Sequence, residues 1–179
     1  MRKHLEDIQK ENLELFIYTT PSMERIFLLL KRDLRKTNII GFLSVWTGDI
    51  QNIFENVCFS ASINGYGPLL YDLAINDSTF TRNKFLTPDP SMTSKYAKNV
   101  WNFYFKNRKE EINLKPINDH IIGNNIHELN CLNYGYQFKT QLDLKNILVS
   151  EPRDIKERKF FQLKINRFFS KMFYINQSL

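Results

Sequence analysis

The chain has 179 residues, of which 42% are hydrophobic and 25% are charged, and its formal net charge is +6. This is the profile of an ordinary globular protein, and the length suits one domain. No apolar run approaches the ~18 residues of a membrane-spanning helix, and the charged N-terminus lacks the apolar core of a signal peptide, so we expect a cytoplasmic protein.

The predicted elements of the first half of the chain are mostly strands. Residues 3–16, KHLEDIQKENLELF, are rich in helix formers and predict a first helix. Short apolar runs favour strands over 16–21 and 24–33, with a helix as the alternative for 24–33. Residues 37–49 and 52–63 are β-branched and aromatic runs joined by a short link, which predicts an antiparallel hairpin.

Helices and strands alternate in the second half of the chain. Residues 68–80 place apolar side chains on one helical face, and Pro68 suits the first turn of that helix. The remaining predicted elements are a short strand over 84–90, a helix over 91–108, closing strands over 111–117 and 132–144, and a helix over 151–174.

The two later helices are predicted to pack by apolar faces. The inward side chains predicted for helix 91–108 are Tyr96, Ala97, Val100, Trp101 and Tyr104. The stripe predicted for the C-terminal helix, after a capping box of Asp154 and Glu157, comprises Phe161, Ile165, Phe168 and Met172. The order of elements predicts an α+β or α/β fold with a mixed sheet over residues 1–150, followed by a basic amphipathic helix over 151–179.

Positive charge is concentrated at the C-terminal end. Residues 151–179 carry a net charge of +4, whereas the other 150 residues carry +2. Lysines and arginines alternate there with phenylalanines, a pattern found in helices that bind nucleic acids or membrane surfaces. We favour the simpler interpretation, in which the phenylalanines pack on the domain and the cations face water.

The segment SASINGYGPLLYDLA, residues 60–74, is the strongest candidate for a binding site. Gly65 and Gly67 lie between a predicted strand and a predicted helix, where glycine lets a ligand approach the backbone. The amides of Tyr66, Gly67 and Leu69 would lie at a helix N-terminus, which favours an anion. No Lys-Ser/Thr pair or third glycine follows, so the common nucleotide-binding loops are excluded. On these residues alone, a tight turn without a ligand is an equal alternative.

The same segment resembles the phosphate loop of the Gcn5-related N-acetyltransferase superfamily. Histone acetyltransferases of that group carry Arg-Gly-Tyr-Gly where residues 64–67 here read Asn-Gly-Tyr-Gly. Acetyltransferase-like proteins of tailed bacteriophages are similar over more of the chain, through Gly-Tyr-Gly-Pro-x-x-Tyr-Asp at 65–72 and a pattern similar to residues 89–104. The resemblance covers residues 39–140 and implies an acyl-CoA N-acyltransferase fold and, for a phage protein, the host cytoplasm.

This resemblance implies acetyl-CoA as the cofactor and an amine, such as a protein lysine or N-terminus, as the acyl acceptor. The loop residues that would hold the cofactor's pyrophosphate are Asn64, Gly65, Tyr66, Gly67 and Leu69. The backbone amides of Val57 and Phe59 match those that orient the thioester carbonyl. Such a site also needs the strand of Val57 to splay from the strand of Leu86.

The catalytic groups implied by the resemblance are Glu55 and Tyr104. Glu55 lies on the strand before the loop, where histone acetyltransferases place a general base. Trp101 stands at the position of the superfamily's usual tyrosine acid, so Tyr104, one turn later, is the nearest candidate acid. A surface glutamate and a packed tyrosine are the alternatives for these two residues.

Departures from the superfamily pattern leave other functions open. Ser62 stands where Gln or Arg is usual, and no Lys or Arg occurs between Lys36 and Arg82. Cations that could supplement the backbone amides are Arg82, Lys84, Lys95 and Lys98. One alternative is a catalytically inactive protein of the same fold that works by binding, for instance in the virion or in host takeover. Another is a nucleic-acid-associated protein that uses the basic C-terminal helix.

The histidines and cysteines predict no further chemistry. His4, His120 and His127 lie in different segments without a metal-binding spacing, and we expect them on the surface. Cys58 and Cys131 lie in apolar stretches and are predicted to be small buried hydrophobes in a reducing compartment.

Overall fold

One mixed eight-stranded sheet and three α-helices make up the described part of the protein. The computed structural model describes residues 11–33, 36–50, 53–63, 65–89, 93–117, 130–145 and 147–177. The strands are β1 (Leu13–Thr19), β2 (Glu24–Asp33), β3 (Lys36–Ile50), β4 (Phe54–Ser62), β5 (Phe85–Pro88), β6 (Ile112–Pro116), β7 (Tyr134–Phe138) and β8 (Ile147–Ser150). The helices are α1 (Gly67–Phe80), α2 (Lys95–Asn107) and α3 (Ile155–Gln177). The sheet order is β6-β7-β5-β4-β3-β2-β1-β8, which confirms a mixed α+β protein.

The predicted N-terminal helix is wrong in the part that the structure describes. Residues 13–16 begin β1, and residues 1–10 of the predicted helix lie outside the described residues. β1 pairs antiparallel with β2 and parallel with β8, a short strand that the sequence did not predict. Leu15 faces one core cluster and Phe16 faces the other, so β1 is apolar on both sides and lacks the simple alternation that identifies a half-buried strand.

The predicted hairpin and the strands around it are confirmed. β2, β3 and β4 pair antiparallel in sequence order, and the chain then crosses through α1 to β5, which pairs parallel with β4. β7 joins the far side of β5 antiparallel, and β6 pairs with β7 at the edge. The β4–α1–β5 unit is therefore the only parallel crossover through a described helix, and the candidate site lies at the ends of its strands.

Helix α1 is buried on nearly all sides. Its predicted apolar face is confirmed, with Leu69, Leu70, Leu73 and Ala74 all in the core. Its polar side chains are buried as well, and they have partners: Asp77 pairs with Arg25 at 2.6 Å, and Asn76 Oδ1 accepts the amide of Leu142 at 2.8 Å. Because these polar groups are satisfied, the helix is buried without the cost of unpaired donors or acceptors.

Helix α2 contacts the same core cluster along one face, and the predicted Ala97 and Val100 pack against it as half-buried residues. Trp101 and Tyr104 are buried as predicted, and their rings pack around Tyr71 of α1 and Tyr136 of β7. The prediction for Tyr96 is wrong, since 84% of this residue is exposed. It lies in the first turn of α2, where Lys95 and Lys98 are exposed as well.

Helix α3 packs on the opposite face of the sheet. Phe161 and Ile165 are buried there, and Phe169, rather than the predicted Phe168, packs against the same cluster. The predicted cap is present in part, since the Glu157 amide donates to Asp154 Oδ1 at 2.8 Å. The side chain of Met172 lies outside the described residues. Within the described chain, none of the helices has the length and hydropathy needed to cross a membrane.

Candidate functional site

A cavity opens where β4 runs past the end of β5. The two strands pair in parallel from Phe54 opposite Phe85 to Val57 opposite Pro88, and β5 then ends. β4 continues to Ser62 without a further partner residue in β5. Backbone groups of β4 on this side are therefore released from the sheet next to open space, which is where a ligand can reach them.

A β-bulge redirects the side chains of β4 at this point. Val57 and Phe59 lie opposite consecutive residues of β3, so Cys58 between them has no partner residue there. Beyond the bulge, Ser60 faces α1, whereas the Phe59 ring contacts Phe169 of α3 at 4.7 Å between centroids. Bulges are found beside functional sites because they re-aim a side chain without ending the strand.

The cavity lies between β4 and the first turns of α1 and α2, and Phe169 of α3 also lines it. It has a volume of about 450 Å³. Its lining residues are Phe59, Ser60, Ala61, Ser62, Gly67, Leu70, Tyr71, Ser94, Tyr96, Ala97, Val100 and Phe169. An inner cavity of about 150 Å³ shares Phe59, Ser60, Tyr71, Ser94 and Ala97 with it and adds Val57, Cys58, Pro88, Thr93 and Trp101. Together they extend from the start of α1 to the end of β5.

The Gly-Tyr-Gly-Pro turn leads directly into this cavity. Gly65 has φ of 86°, and the Tyr66 amide donates to the Ile63 carbonyl at 3.2 Å, so that amide closes the turn. Gly67 begins α1, lines the cavity and is followed by Pro68 in the first turn, as predicted. Asn64 lies outside the described residues.

Two predicted amides remain at the helix N-terminus. Gly67 and Leu69 belong to the first turn of α1, where backbone N–H groups have no acceptor within the helix and the helix dipole is positive. The side chain of Leu69 is buried in the core, so only its backbone can serve a ligand. Of the three predicted amides, those of Gly67 and Leu69 therefore lie at the helix start, whereas that of Tyr66 is used within the turn.

The two glycines of this turn are expected to respond differently to substitution. Gly65→Ala is expected to lower the free energy of unfolding by about 1–2 kcal/mol, since φ near 86° disfavours an L side chain. Gly67→Ala is expected to cost less than about 0.5 kcal/mol, since its Cβ would meet only the Ser62 hydroxyl, at 3.1 Å. Urea denaturation of both variants checks this, and equal costs would contradict it.

Tyr104 is placed away from the cavity lining. The residue is fully buried, and its hydroxyl lies 2.5 Å from Asp72 Oδ1 and 3.2 Å from the Pro68 carbonyl oxygen. Asp72 also forms an ion pair with Arg108. The hydroxyl therefore ties α2 to the first turns of α1, and neither cavity is lined by this side chain.

Glu55 is placed at the other end of α1. It is fully buried, accepts a hydrogen bond from the Ser78 hydroxyl at 2.8 Å and forms an ion pair with Arg82. Six residues separate Asp72 from Ser78 along α1, a rise of about 9 Å. The structure therefore does not bring Glu55 and Tyr104 together, and Glu55 lines neither cavity.

A hydroxyl pair that the sequence analysis did not single out faces both cavities. Ser60 Oγ and Tyr71 Oη lie 2.8 Å apart, and both residues line the larger and the inner cavity. Burial raises the pKa of the Tyr71 phenol, which its hydrogen bond with Ser60 partly opposes. Tyr71 is part of the Gly-Tyr-Gly-Pro-x-x-Tyr-Asp run, so its spacing from the turn was the available signal.

The predicted supplementary cations divide into two pairs. Arg82 and Lys84 follow the last turn of α1, about 20 Å from Gly67 at its start, and Arg82 is paired with Glu55. Lys95 and Lys98 are exposed on the first turn of α2, beside the lining residues Ser94 and Tyr96. Only the second pair lies near the cavity mouth.

Cys58 faces the inner cavity as a half-buried thiol rather than a fully buried one. Burial and the negative charge of Glu24 raise its pKa, with a smaller contribution from Asp89. The thiol is therefore protonated near neutral pH and is a poor nucleophile. Cys131 is buried as predicted, and both cysteines are free.

The described residues contain no group of three or more side chains that could hold a metal ion. His4, His120 and His127 lie outside the described residues, so their predicted surface positions stay predictions. Comparisons with protein-family models, curated proteins and solved structures found no match to this chain.

Proposed function

We propose that the protein is an acyl-CoA N-acyltransferase of the Gcn5-related type, which binds acetyl-CoA and transfers its acyl group to an amine. The observation that carries this proposal is the position of the cavity. It begins at the glycine turn that starts α1 and ends at the last pair of β4 and β5, Val57 opposite Pro88. An elongated ligand with an anionic end and a reactive thioester end needs those two features in that order.

The residues present fit such a ligand. A volume of about 450 Å³ lies within the usual range for small-molecule sites. Gly67 leaves space at the mouth that a side chain would enter, next to Ser62. The walls further in are mostly apolar side chains from β4 and α2, which suits the methylene and methyl groups of the arm that carries the thioester.

The roles of the chain's own groups follow from their positions. The amides of Gly67 and Leu69, with Lys95 and Lys98 at the mouth, would bind the pyrophosphate. The backbone of β4 around Phe59, released from β5, would orient the thioester carbonyl. Acetyl-CoA supplies the activated acyl group, and an amine with a free electron pair attacks it. The amine that accepts the acyl group is a protein lysine, a protein N-terminus or a small molecule.

A second candidate is a protein of the same fold that binds a ligand without catalysis. The observation that favours it is that neither Glu55 nor Tyr104, the two groups implied for proton transfer, lines the cavity. Both residues have structural partners instead. This candidate has the same acetyl-CoA site as the transferase, and it differs only in that the acyl group is not transferred to an amine.

Filling the cavity tests the proposal. Ala97 lines both cavities, and Ala97→Trp is expected to block acetyl-CoA, whereas Asn99→Trp, on the exposed side of the same helix, is the matched control. At 1 mM acetyl-CoA, the melting temperature of the unchanged protein and of the control is expected to rise, because a ligand that binds only the folded state stabilises it. This concentration is expected to be about 10 or more times Kd. The Ala97→Trp variant is expected to show no rise.

The same assay separates the candidates. No rise with acetyl-CoA in the unchanged protein would overturn both forms of the proposal. A rise followed by release of coenzyme A in the presence of a lysine peptide, an N-terminal peptide or spermidine identifies a transferase. A rise without release identifies the binding protein.

A role for α3 in nucleic-acid binding stays a prediction. Many of its lysines and arginines are exposed, as expected for an amphipathic helix whose apolar face packs on the domain. Lys164 Nζ lies 4.6 Å from the centroid of the Phe160 ring. The other face of α3 is occupied by the sheet. Binding of a labelled oligonucleotide that weakens steeply with salt would support this role, and its absence at low salt would remove it.

A further inference from the structure

We propose that Tyr71, coupled to Ser60, is the proton donor to the leaving sulfur of the thioester. This inference rests on the proposed function and replaces Tyr104 in that role. The two hydroxyls lie 2.8 Å apart on neighbouring elements, α1 and β4, and both line the cavity along its length.

The choice follows from the residues shared by the two cavities. Five residues line both, and three of them carry hydroxyls: Ser60, Tyr71 and Ser94. The hydroxyl of Ser94 caps α2 by accepting the Ala97 amide at 3.2 Å, so it has a structural role. Ser60 and Tyr71 hydrogen-bond to each other, and both line the two cavities.

The Tyr71 ring is held rigidly in this position. Only 3% of the residue is exposed, and its ring meets Trp101 edge-on, with centroids 5.1 Å apart and an interplanar angle of 83°. A fixed donor needs no reorganisation as charge develops on the sulfur. The raised pKa of the phenol keeps its proton in place throughout the neutral range.

Every proton that moves during acyl transfer has a donor and an acceptor. As the amine nitrogen bonds to the carbonyl carbon, the C–S bond breaks and its electron pair goes to sulfur. Tyr71 Oη gives its proton to that sulfur, and Ser60 Oγ passes Tyr71 a proton. The amine nitrogen loses one proton on becoming an amide, and this proton restores the Ser60 hydroxyl. No oxidant, metal or further reactant is needed.

Three variants of the full chain test the inference. Tyr71→Phe removes one oxygen, and Ser60→Ala breaks the proton relay between the two hydroxyls. Tyr134→Phe makes the same chemical change on β7, at a half-buried residue that lines neither cavity. Acetyl-CoA affinity is measured by calorimetry. The value of kcat is measured with whichever acyl acceptor reacts fastest among a lysine peptide, an N-terminal peptide and spermidine. The pKa of the bound coenzyme A thiol is measured by thiolate absorbance.

Tyr71→Phe is expected to lower kcat by about 100-fold or more, with acetyl-CoA Kd changed less than about 3-fold. It should also raise the thiol pKa of bound coenzyme A, since the thiolate loses a hydrogen-bond donor, while Tyr134→Phe leaves all three values unchanged. Acetyl-CoA binding and transfer with an unchanged kcat in Tyr71→Phe would overturn the inference and leave the function standing. Binding without transfer to any of the three amines would also overturn it. No binding by the unchanged protein would overturn the function itself.

Discussion

Replacing Trp101 with alanine is expected to lower the free energy of unfolding by about 3–5 kcal/mol. The residue is 1% exposed, and its ring contacts Tyr71 at 5.1 Å and Tyr136 at 4.8 Å between centroids. The substitution removes the largest buried side chain of α2 and leaves a void beside the inner cavity, which the fixed backbones of α1 and β7 cannot close. Trp101→Phe keeps an aromatic ring there and should cost about half as much.

Urea denaturation followed by far-ultraviolet circular dichroism measures this cost independently of tryptophan fluorescence. Trp46→Ala is the matched control, because Trp46 is 41% exposed on β3 and should cost less than about 1 kcal/mol. A Trp101→Ala protein as stable as the control would contradict the packing of α2 on the sheet.

Removing Arg82 is expected to be costlier than removing its partner Glu55. Arg82→Ala leaves the carboxylate of Glu55, which is 0% exposed, with only the Ser78 hydroxyl, and is expected to cost about 3 kcal/mol. Glu55→Ala leaves Arg82, whose side chain is 27% exposed and can reach water, and is expected to cost about 1–2 kcal/mol. The double variant should cost less than the sum, because the buried charge is then absent.

Denaturant midpoints of the three variants measure these costs. Lys145→Ala removes a cation from an exposed ion pair with Asp143, and its midpoint should be unchanged. Glu55→Ala also distinguishes a structural role from a catalytic one. If Glu55 were the general base, acyl transfer would fall steeply in this variant with stability hardly changed, and the placement of this residue would be contradicted.

The elements that the sequence predicted well are those with one clear hydrophobic period. The β3–β4 hairpin alternates and is bounded by turn residues, and α1 shows an apolar face after Pro68, so both were predicted close to their observed bounds. Residues 13–16 of β1 were assigned to a helix and β8 was not predicted, because the identity of both segments depends on partners distant in the chain. The parallel β1–β8 pair joins residues more than 130 positions apart, and no local pattern specifies that pairing.

The candidate site was predicted in its backbone and not in its side chains. A glycine with positive φ and a proline at the helix start are local requirements, so Gly65 and Pro68 could be read from the chain. Whether the Glu55 side chain lines a cavity or pairs with Arg82 depends on where the C-terminal end of α1 lies. Whether Ser60 faces α1 depends on the bulge at Cys58, for which the sequence carries no signal.

Hydrogen exchange of the full chain with and without acetyl-CoA tests the central claim most directly. The cavity position predicts slower amide exchange in peptides that cover residues 57–71 and 93–101, with the strands β1 and β6 unchanged. Cofactor-dependent slowing at both ends of the cavity would support an acyl-CoA site there. Unchanged exchange at 1 mM cofactor, a concentration at which a ligand with micromolar Kd is bound, or slowing confined to α3, would contradict it.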